Sequence, residues 1–201
     1  MLIPKIFHRV WIGQAPIPQE FEEYWQGWQD NHPDWQFLTW NYPMTMPLSI
    51  LDRSLLERVY QVFPKSSDLV RYEVLHQFGG VYLDCDFECY KNIEPLIGDA
   101  LNFAAYQQEG VVNNAIMGAV PGSELFAQIL RGAEASFQRH SPDMLHAVGP
   151  YYFSEMVMEH PDMTIIDTKY LYPYLWVEEF QGRESYPEAY AVHHWAGTPW
   201  K

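Results

Sequence analysis

Apolar positions in this chain alternate between two periods, and each switch marks an element. Residues 3–12 mix apolar and basic side chains and end in Trp11-Ile12-Gly13, an opening strand and a loop that Pro16 and Pro18 rigidify. Phe21, Tyr24, Trp25 and Trp28 recur at helical spacing within residues 19–31, predicting an amphipathic helix that Asn31-His32-Pro33 stops. Residues 35–40 alternate and are rich in aromatics, as a strand is. A Pro- and Met-rich loop then leads to a second helix near residues 48–60.

Residues 65–89 are the most informative. Ser66 and Ser67 are good helix N-caps, and Val70, Val74 and Phe78 fall on one face of the helix that follows, with Leu75 beside them. Gly79-Gly80 ends it, because glycine takes the left-handed conformation past a helix end without steric penalty. Val81-Tyr82-Leu83 is a short strand running into Asp84-Cys85-Asp86, and the extended path resumes over residues 87–90. Further on, residues 101–106, 115–120 and 164–166 read as strands and residues 124–137 as a helix. Another helix starts near Gly149-Pro150, and Ala191-Val192-His193-His194-Trp195 lies near the C-terminus. Strands alternating with helices predict one α/β domain over residues 1–201, built on a largely parallel central sheet flanked by helices.

Composition narrows the partners. Hydrophobic residues make up 48% of the 201 positions, with 8 Trp and 14 Tyr, enough for a sizeable core. A formal net charge of −14 argues against a duplex nucleic acid, whose phosphates need a basic stripe, and disfavours anionic membranes. No apolar run approaches the roughly 18 residues of a bilayer span. The opening Met1-Leu2-Ile3-Pro4-Lys5 turns polar too early for a signal peptide. Cys85 and Cys89, the two cysteines, make neither a disulfide framework nor a zinc site. A cytoplasmic setting is the expectation.

The candidate chemistry centres on Asp84 and Asp86. Two carboxylates one residue apart, just past a strand end, suit a hard divalent cation such as Mn²⁺ or Mg²⁺, and a diphosphate can complete its shell. In open α/β sheets ligands gather at the carboxyl ends of strands. Asp-x-Asp alone is equally an ordinary acidic turn. Asp68 and Arg71 are neighbours on one face of the preceding helix and could point toward the triplet, or form a surface ion pair. In His193-His194-Trp195 strand alternation lets only one histidine address a given site. Trp11 could project as a base-stacking platform or be core. Asn113-Asn114 could offer amides to sugar hydroxyls, and by itself reads as a turn. The aromatic run over residues 170–176 could be an acceptor surface, a partner surface or core, and core is the favoured reading.

Taken together these pieces resemble the metal-dependent glycosyltransferases with a sugar-binding region containing an Asp-x-Asp motif. That family includes outer-chain mannosyltransferase-like proteins and capsule enzymes, and is related to the catalytic domains of glucosylating bacterial toxins. The resemblance rests on the stretch from Ile3 to Gly13, on Ser67-Asp68-Leu69-Val70-Arg71-Tyr72 and on Gly79-Gly80-Val81-Tyr82-Leu83-Asp84-Cys85-Asp86. Asn114-Ala115-Ile116-Met117-Gly118-Ala119 and Val192-His193-His194-Trp195-Ala196-Gly197 complete it.

The resemblance implies a GT-A fold, a nucleoside-diphosphate-sugar donor (a UDP- or GDP-hexose), retention of anomeric configuration and a hydroxyl acceptor on a glycan or polysaccharide. It implies Trp11 on the nucleotide base, Asp68 and Arg71 on the donor sugar or ribose, and Tyr82 supporting that side. Asp84 falls on ribose and metal, Asp86 on the metal, Asn114 on the sugar, Trp195 in the donor site, and His193 as C-terminal metal ligand, with His194 at a more variable position. Asp84, Asp86, Arg71 and Asp68 are thereby the catalytic set. Where the family often ends in Gly-Ser-Trp, this chain has Gly197-Thr198-Pro199-Trp200. A nucleotide-sugar hydrolase and a catalytically silent sugar-nucleotide-binding module suit the same site.

Overall fold

A computed structural model of the chain describes residues 2–12, 15–41, 49–62, 67–158 and 160–196. Six strands form the central sheet: β1 (Ile6–Trp11), β2 (Gln36–Asn41), β3 (Gly80–Leu83), β5 (Asn102–Gln108), β6 (Val111–Ala119) and β7 (Met163–Ile166). Two more, β4 (Phe87–Cys89) and β8 (Ala191–His193), pair antiparallel as a separate ribbon. The helices are α1 (Gln19–Asn31), α2 (Arg53–Val62), α3 (Asp68–Phe78), α4 (Glu94–Ile97), α5 (Glu124–His140), α6 (Met144–Ala147), α7 (Pro150–Val157) and α8 (Thr168–Leu171).

The sheet runs β2-β1-β3-β6-β5-β7. β1 is parallel to β2 and β3, and β5 to β7, whereas β6 runs antiparallel to both β3 and β5. The sheet is therefore mixed, with three parallel pairings and two antiparallel ones. Reversing β6 takes only the short loop Glu109-Gly110, where Gly110 has φ 75°. The turn expected at Asn113-Asn114 is instead strand: both residues lie inside β6. Asn113 Oδ1 accepts from the Ala115 N–H at 2.7 Å, beside a register shift in the β5–β6 ladder.

Alternation along the strands sends side chains to two cores. Tyr82 and Ala104 join a cluster with α2, α3, α5 and α7, while Val81, Leu83, Phe103 and Ala105 join a second with α1, α4, α8 and the β4–β8 ribbon.

Helix α3 is buried on nearly all sides: Leu69, Val70, Tyr72, Val74 and Leu75 are core, and Asp68, Arg71 and Glu73 are buried as well. A helix this deep needs partners for most of its polar groups. Glu73 accepts from the backbone N–H groups of Ser49 (2.6 Å) and Leu51 (2.9 Å), fixing the segment that leads into α2. That helix starts at Arg53, later than its periodicity suggested. The capping role expected of the serines is not what Ser67 does, and Ser66 lies outside the described residues. Ser67 makes no capping side-chain bond; its hydroxyl instead accepts from Arg71 and lies 3.3 Å from the Tyr82 hydroxyl.

Candidate active site

The helix-to-strand passage delivers the site. The Gly79 N–H closes α3 onto the Leu75 carbonyl at 2.9 Å, and Gly79 and Gly80 both take positive φ, 64° and 86°. A Cβ at Gly80 would lie 2.5 Å from the Ile6 carbonyl oxygen, so β3 reaches its place beside β1 only because no side chain stands there. β3 then runs back along α3 and returns the chain to the helix's N-terminal end. Past Leu83 the Asp84 N–H bonds the Ala115 carbonyl at 2.8 Å, and the Phe87 N–H closes the turn onto the Asp84 carbonyl at 3.2 Å. Asp84-Cys85-Asp86 is thus a pinned turn between β3 and β4.

Arg71 reaches this turn from α3. Its Nη2 lies 3.0 Å from Asp84 Oδ1 and 3.7 Å from Asp68 Oδ1, and its Nη1 donates to the Asn114 carbonyl at 2.8 Å. The guanidinium sits over the Tyr82 ring, 4.7 Å from its centroid, a cation–π contact. The Tyr82 hydroxyl donates to Asp84 Oδ1 at 2.6 Å. Asn114, nearly fully buried, gives its amide to Asp68 Oδ1 and to the Tyr72 hydroxyl, both at 2.7 Å. Asp68 is therefore oriented from inside the fold. These links to Tyr72 and Ser67 were not foreseen, because they depend on which residues of α3 and β6 face each other.

The C-terminal ribbon closes the other side. His193, opposite Phe87 in the β4–β8 pairing, places Nε2 3.1 Å from Asp86 Oδ1 and 3.9 Å from Asp84 Oδ2. Its ring is held by Phe87, Trp195 and Tyr172, with centroids at 4.9, 4.4 and 5.8 Å. His194 turns the other way: Nε2 lies 2.9 Å from Glu88 Oε2, and the ring stacks on Tyr24 at 4.8 Å. Trp195 is 5% exposed, and its indole N–H donates to the Tyr174 carbonyl at 3.2 Å. It forms a wall behind His193. Trp11 ends β1 half-buried, edge-on to Phe21, with its N–H on the Ala15 carbonyl at 2.8 Å.

The electrostatics split the two carboxylates. Burial raises the Asp84 carboxyl above its ordinary range; Arg71 pulls the other way, and the Asp86 charge adds to the rise. Burial also works against the Asp86 charge, but His193 and the Ala196 N–H outweigh it and hold that carboxyl at about 2. Burial likewise opposes the Arg71 charge; Asp84, Tyr82 and Asp68 overcome it and keep the guanidinium protonated. Cys85 takes no part: burial pushes its thiol up to about 12, and its sulfur faces the Val10 carbonyl.

Asp84, Asp86 and His193 offer two carboxylate oxygens and an imidazole nitrogen within 4.8 Å of one another, a group that could hold a metal ion. The two carboxylates supply hard oxygen donors of the kind divalent cations take, and the imidazole adds one nitrogen. Arg71 Nε and His193 Nδ1 are buried without a hydrogen-bond partner among the described residues.

The mixed sheet flanked by helices, with paired carboxylates at the carboxyl edge of its parallel strands, is a GT-A fold. The solved PaToxG glycosyltransferase shares it, with a TM-score of 0.62 at 18% identity over 77% of this chain and 67% of that one. Residues 18–102 match the family described as "Glycosyltransferase sugar-binding region containing DXD motif", a span that holds Asp68, Arg71, Asp84 and Asp86. Over this span the chain is similar to those glycosyltransferases, as its motifs led us to expect. It is 28% identical over 193 residues to the uncharacterized glycosyltransferase L373 of Acanthamoeba polyphaga mimivirus, covering 86% of this chain and 74% of the relative. It is 29% identical over 162 residues to inositol phosphoceramide mannosyltransferase 3 of Schizosaccharomyces pombe, covering 76% of this chain and 44% of the relative. The chain thus spans less than half the length of the yeast enzyme. No helix among the described residues is long and apolar enough to cross a membrane.

Proposed function

We propose that residues 1–201 act as one catalytic domain that transfers a hexose from a UDP- or GDP-sugar to an acceptor hydroxyl of a glycan or polysaccharide, with retention and with Mn²⁺ or Mg²⁺ as cofactor. The observation that carries this reading is the meeting of Asp84, Asp86 and His193 beside a buried Arg71 at one edge of the sheet. Asp86 and His193 would hold the cation, with Asp84 shared between the cation and the ribose. Asp68, oriented by Asn114, would bind donor hydroxyls; Asn114, whose amide NH2 is spent on Asp68 and Tyr72, would meet the sugar through its side-chain Oδ1. Trp11 would stack on the base, Tyr82 would hold Asp84 in place, and Trp195 would support His193. When bound, the cation supplies positive charge to the diphosphate.

In the transfer, the acceptor oxygen bonds the anomeric carbon as the bond from that carbon to the diphosphate oxygen breaks. The acceptor proton passes to that departing oxygen. Arg71 stabilises the charge that develops there, and preorganised charge of this kind is usually the largest catalytic contribution. Attack from the face of the leaving group is supported by how the nearby carboxylates are engaged: Asp68 by Asn114, Asp84 by Tyr82 and Arg71, Asp86 by His193 and Ala196. None is left as a nucleophile for a double displacement. The reading includes a cytoplasmic setting, which the free thiols of Cys85 and Cys89 suit.

The test is incubation of the purified chain with UDP- and GDP-hexoses, Mn²⁺ and a panel of saccharide acceptors, following labelled product and its anomeric configuration. Transfer is expected with at least one donor, to be abolished by EDTA and reduced on the order of 100-fold or more by Asp86→Asn. Release of free sugar with no acceptor product would replace transfer by hydrolysis. If no common donor is transferred, hydrolysed or bound, the enzyme reading is wrong.

A further inference from the structure

Among the described residues Trp195 is the one non-glycine position with positive φ, 57°, a conformation in which an L side chain is strained and which persists only where its surroundings enforce it. The surroundings here are explicit. The β4–β8 pairing sets Phe87 against His193 and Cys89 against Ala191. Continued in that register, Ala196 would fall opposite Asp84. The His194 N–H keeps to the ladder and bonds the Asp86 carbonyl at 3.0 Å. The left-handed turn at Trp195 then takes the chain out of the ladder and brings the Ala196 N–H to Asp86 Oδ2 at 2.7 Å. Asp86 is therefore gripped through its backbone and one carboxylate oxygen by the same three-residue turn, which leaves Oδ1 beside His193 Nε2.

Both side chains of the turn are nailed down. Trp195 packs against His193 and Tyr172 and donates to Tyr174. His194 stacks on Tyr24, meets the edge of Phe180 at 5.1 Å and contacts Glu88.

We propose that His194-Trp195-Ala196 is a backbone clamp that presets Asp86 for the divalent cation, with Trp195 and His194 as positioning residues that touch neither cation nor donor. This rests on the metal reading of the Asp84–Asp86–His193 group. A β-branched residue at 195 resists positive φ and removes the wall behind His193, so the clamp should open.

The experiment measures Mn²⁺ binding to the whole chain by electron paramagnetic resonance, without donor. Trp195→Val is expected to weaken Mn²⁺ binding roughly 10- to 100-fold, the range for changes that disorient a metal ligand. Tyr186→Ala, in the same aromatic region but away from Asp86 and His193, should lower thermal stability while moving Mn²⁺ affinity less than about twofold. A folded Trp195→Val chain that binds Mn²⁺ like the wild type overturns the clamp. If that variant does not fold, amide hydrogen exchange on the cation-free wild type decides: the Ala196 N–H must be protected, and exchange at the open-chain rate overturns the proposal. A wild-type chain that binds no Mn²⁺ overturns the metal reading itself, an outcome distinct from equal binding by wild type and variant.

Discussion

Asn114 shows how much of this site is arranged one residue behind the surface. Its amide is committed inward, to Asp68 and to Tyr72, whose hydroxyl in turn donates to the Val148 carbonyl at 3.0 Å. Leaving a buried carboxylate short of a donor costs about 1–3 kcal/mol, so Asn114→Ala should lower stability by that amount, read as a shift in urea midpoint. It should also weaken donor binding by roughly tenfold, since Asp68 would lose its orientation; a variant with unchanged donor affinity would remove Asn114 from the positioning chain. Asp68, Arg71, Asp84 and Asp86 were singled out in the sequence by the resemblance to the Asp-x-Asp glycosyltransferases; periodicity alone left Asp68 and Arg71 open between facing the triplet and forming a surface ion pair. The roles of Tyr72, Ser67 and the Ala196 N–H were not, because each depends on a contact between elements far apart in the chain. Spacing also separated His193 from His194 only as alternatives, and the site needs the β4–β8 register to tell them apart.

At the scale of elements the decisive joint is α3–Gly79-Gly80–β3. The sequence pattern located it, since a glycine pair after an apolar helical face is a stop signal. What the pattern could not convey is how close β3 comes to β1. Gly80→Ala should therefore destabilise the fold by about 3 kcal/mol or more, combining positive-φ strain with a clash against the Ile6 carbonyl. Gly110→Ala makes the comparison clean. Gly110 also has positive φ, but nothing lies within 4 Å of an added Cβ, so strain alone should cost about 1 kcal/mol. Urea unfolding of the two variants separates the terms, and equal losses would show that the β1–β3 approach carries no special weight. The reversal of β6 escaped the sequence pattern for a different reason. Hydrophobic alternation has no direction, and the Glu109-Gly110 loop was overshadowed by the stronger turn composition of Asn113-Asn114, which strand pairing overrides.

Over the whole molecule, the sheet between the two cores contains a titratable group that links stability to pH. His8 on β1 is fully buried and satisfied in a single neutral form. Trp40 Nε1–H donates to its Nδ1 at 3.2 Å, so the proton sits on Nε2, which meets the Gly79 carbonyl at 2.9 Å. A second proton on Nδ1 would face the indole N–H head-on. Burial accordingly lowers the His8 pKa to about 4, with the Gly79 carbonyl resisting only in part, and burial pushes His32 in the same direction. Between pH 4 and 6.5 the unfolded chain binds the His8 proton and the folded chain does not, so stability rises with pH across that window. The contribution is fully present above the unfolded value, is lost as pH falls toward the folded one, and amounts to about 3 kcal/mol for His8. His8→Gln keeps a donor and an acceptor but cannot titrate. The variant should be less stable than the wild type at pH 7.5 and lose less of its stability on going to pH 5. Urea midpoints at the two pH values measure this directly, and parallel losses in the two proteins would mean that acid destabilisation arises elsewhere, among the carboxylates of this strongly acidic chain.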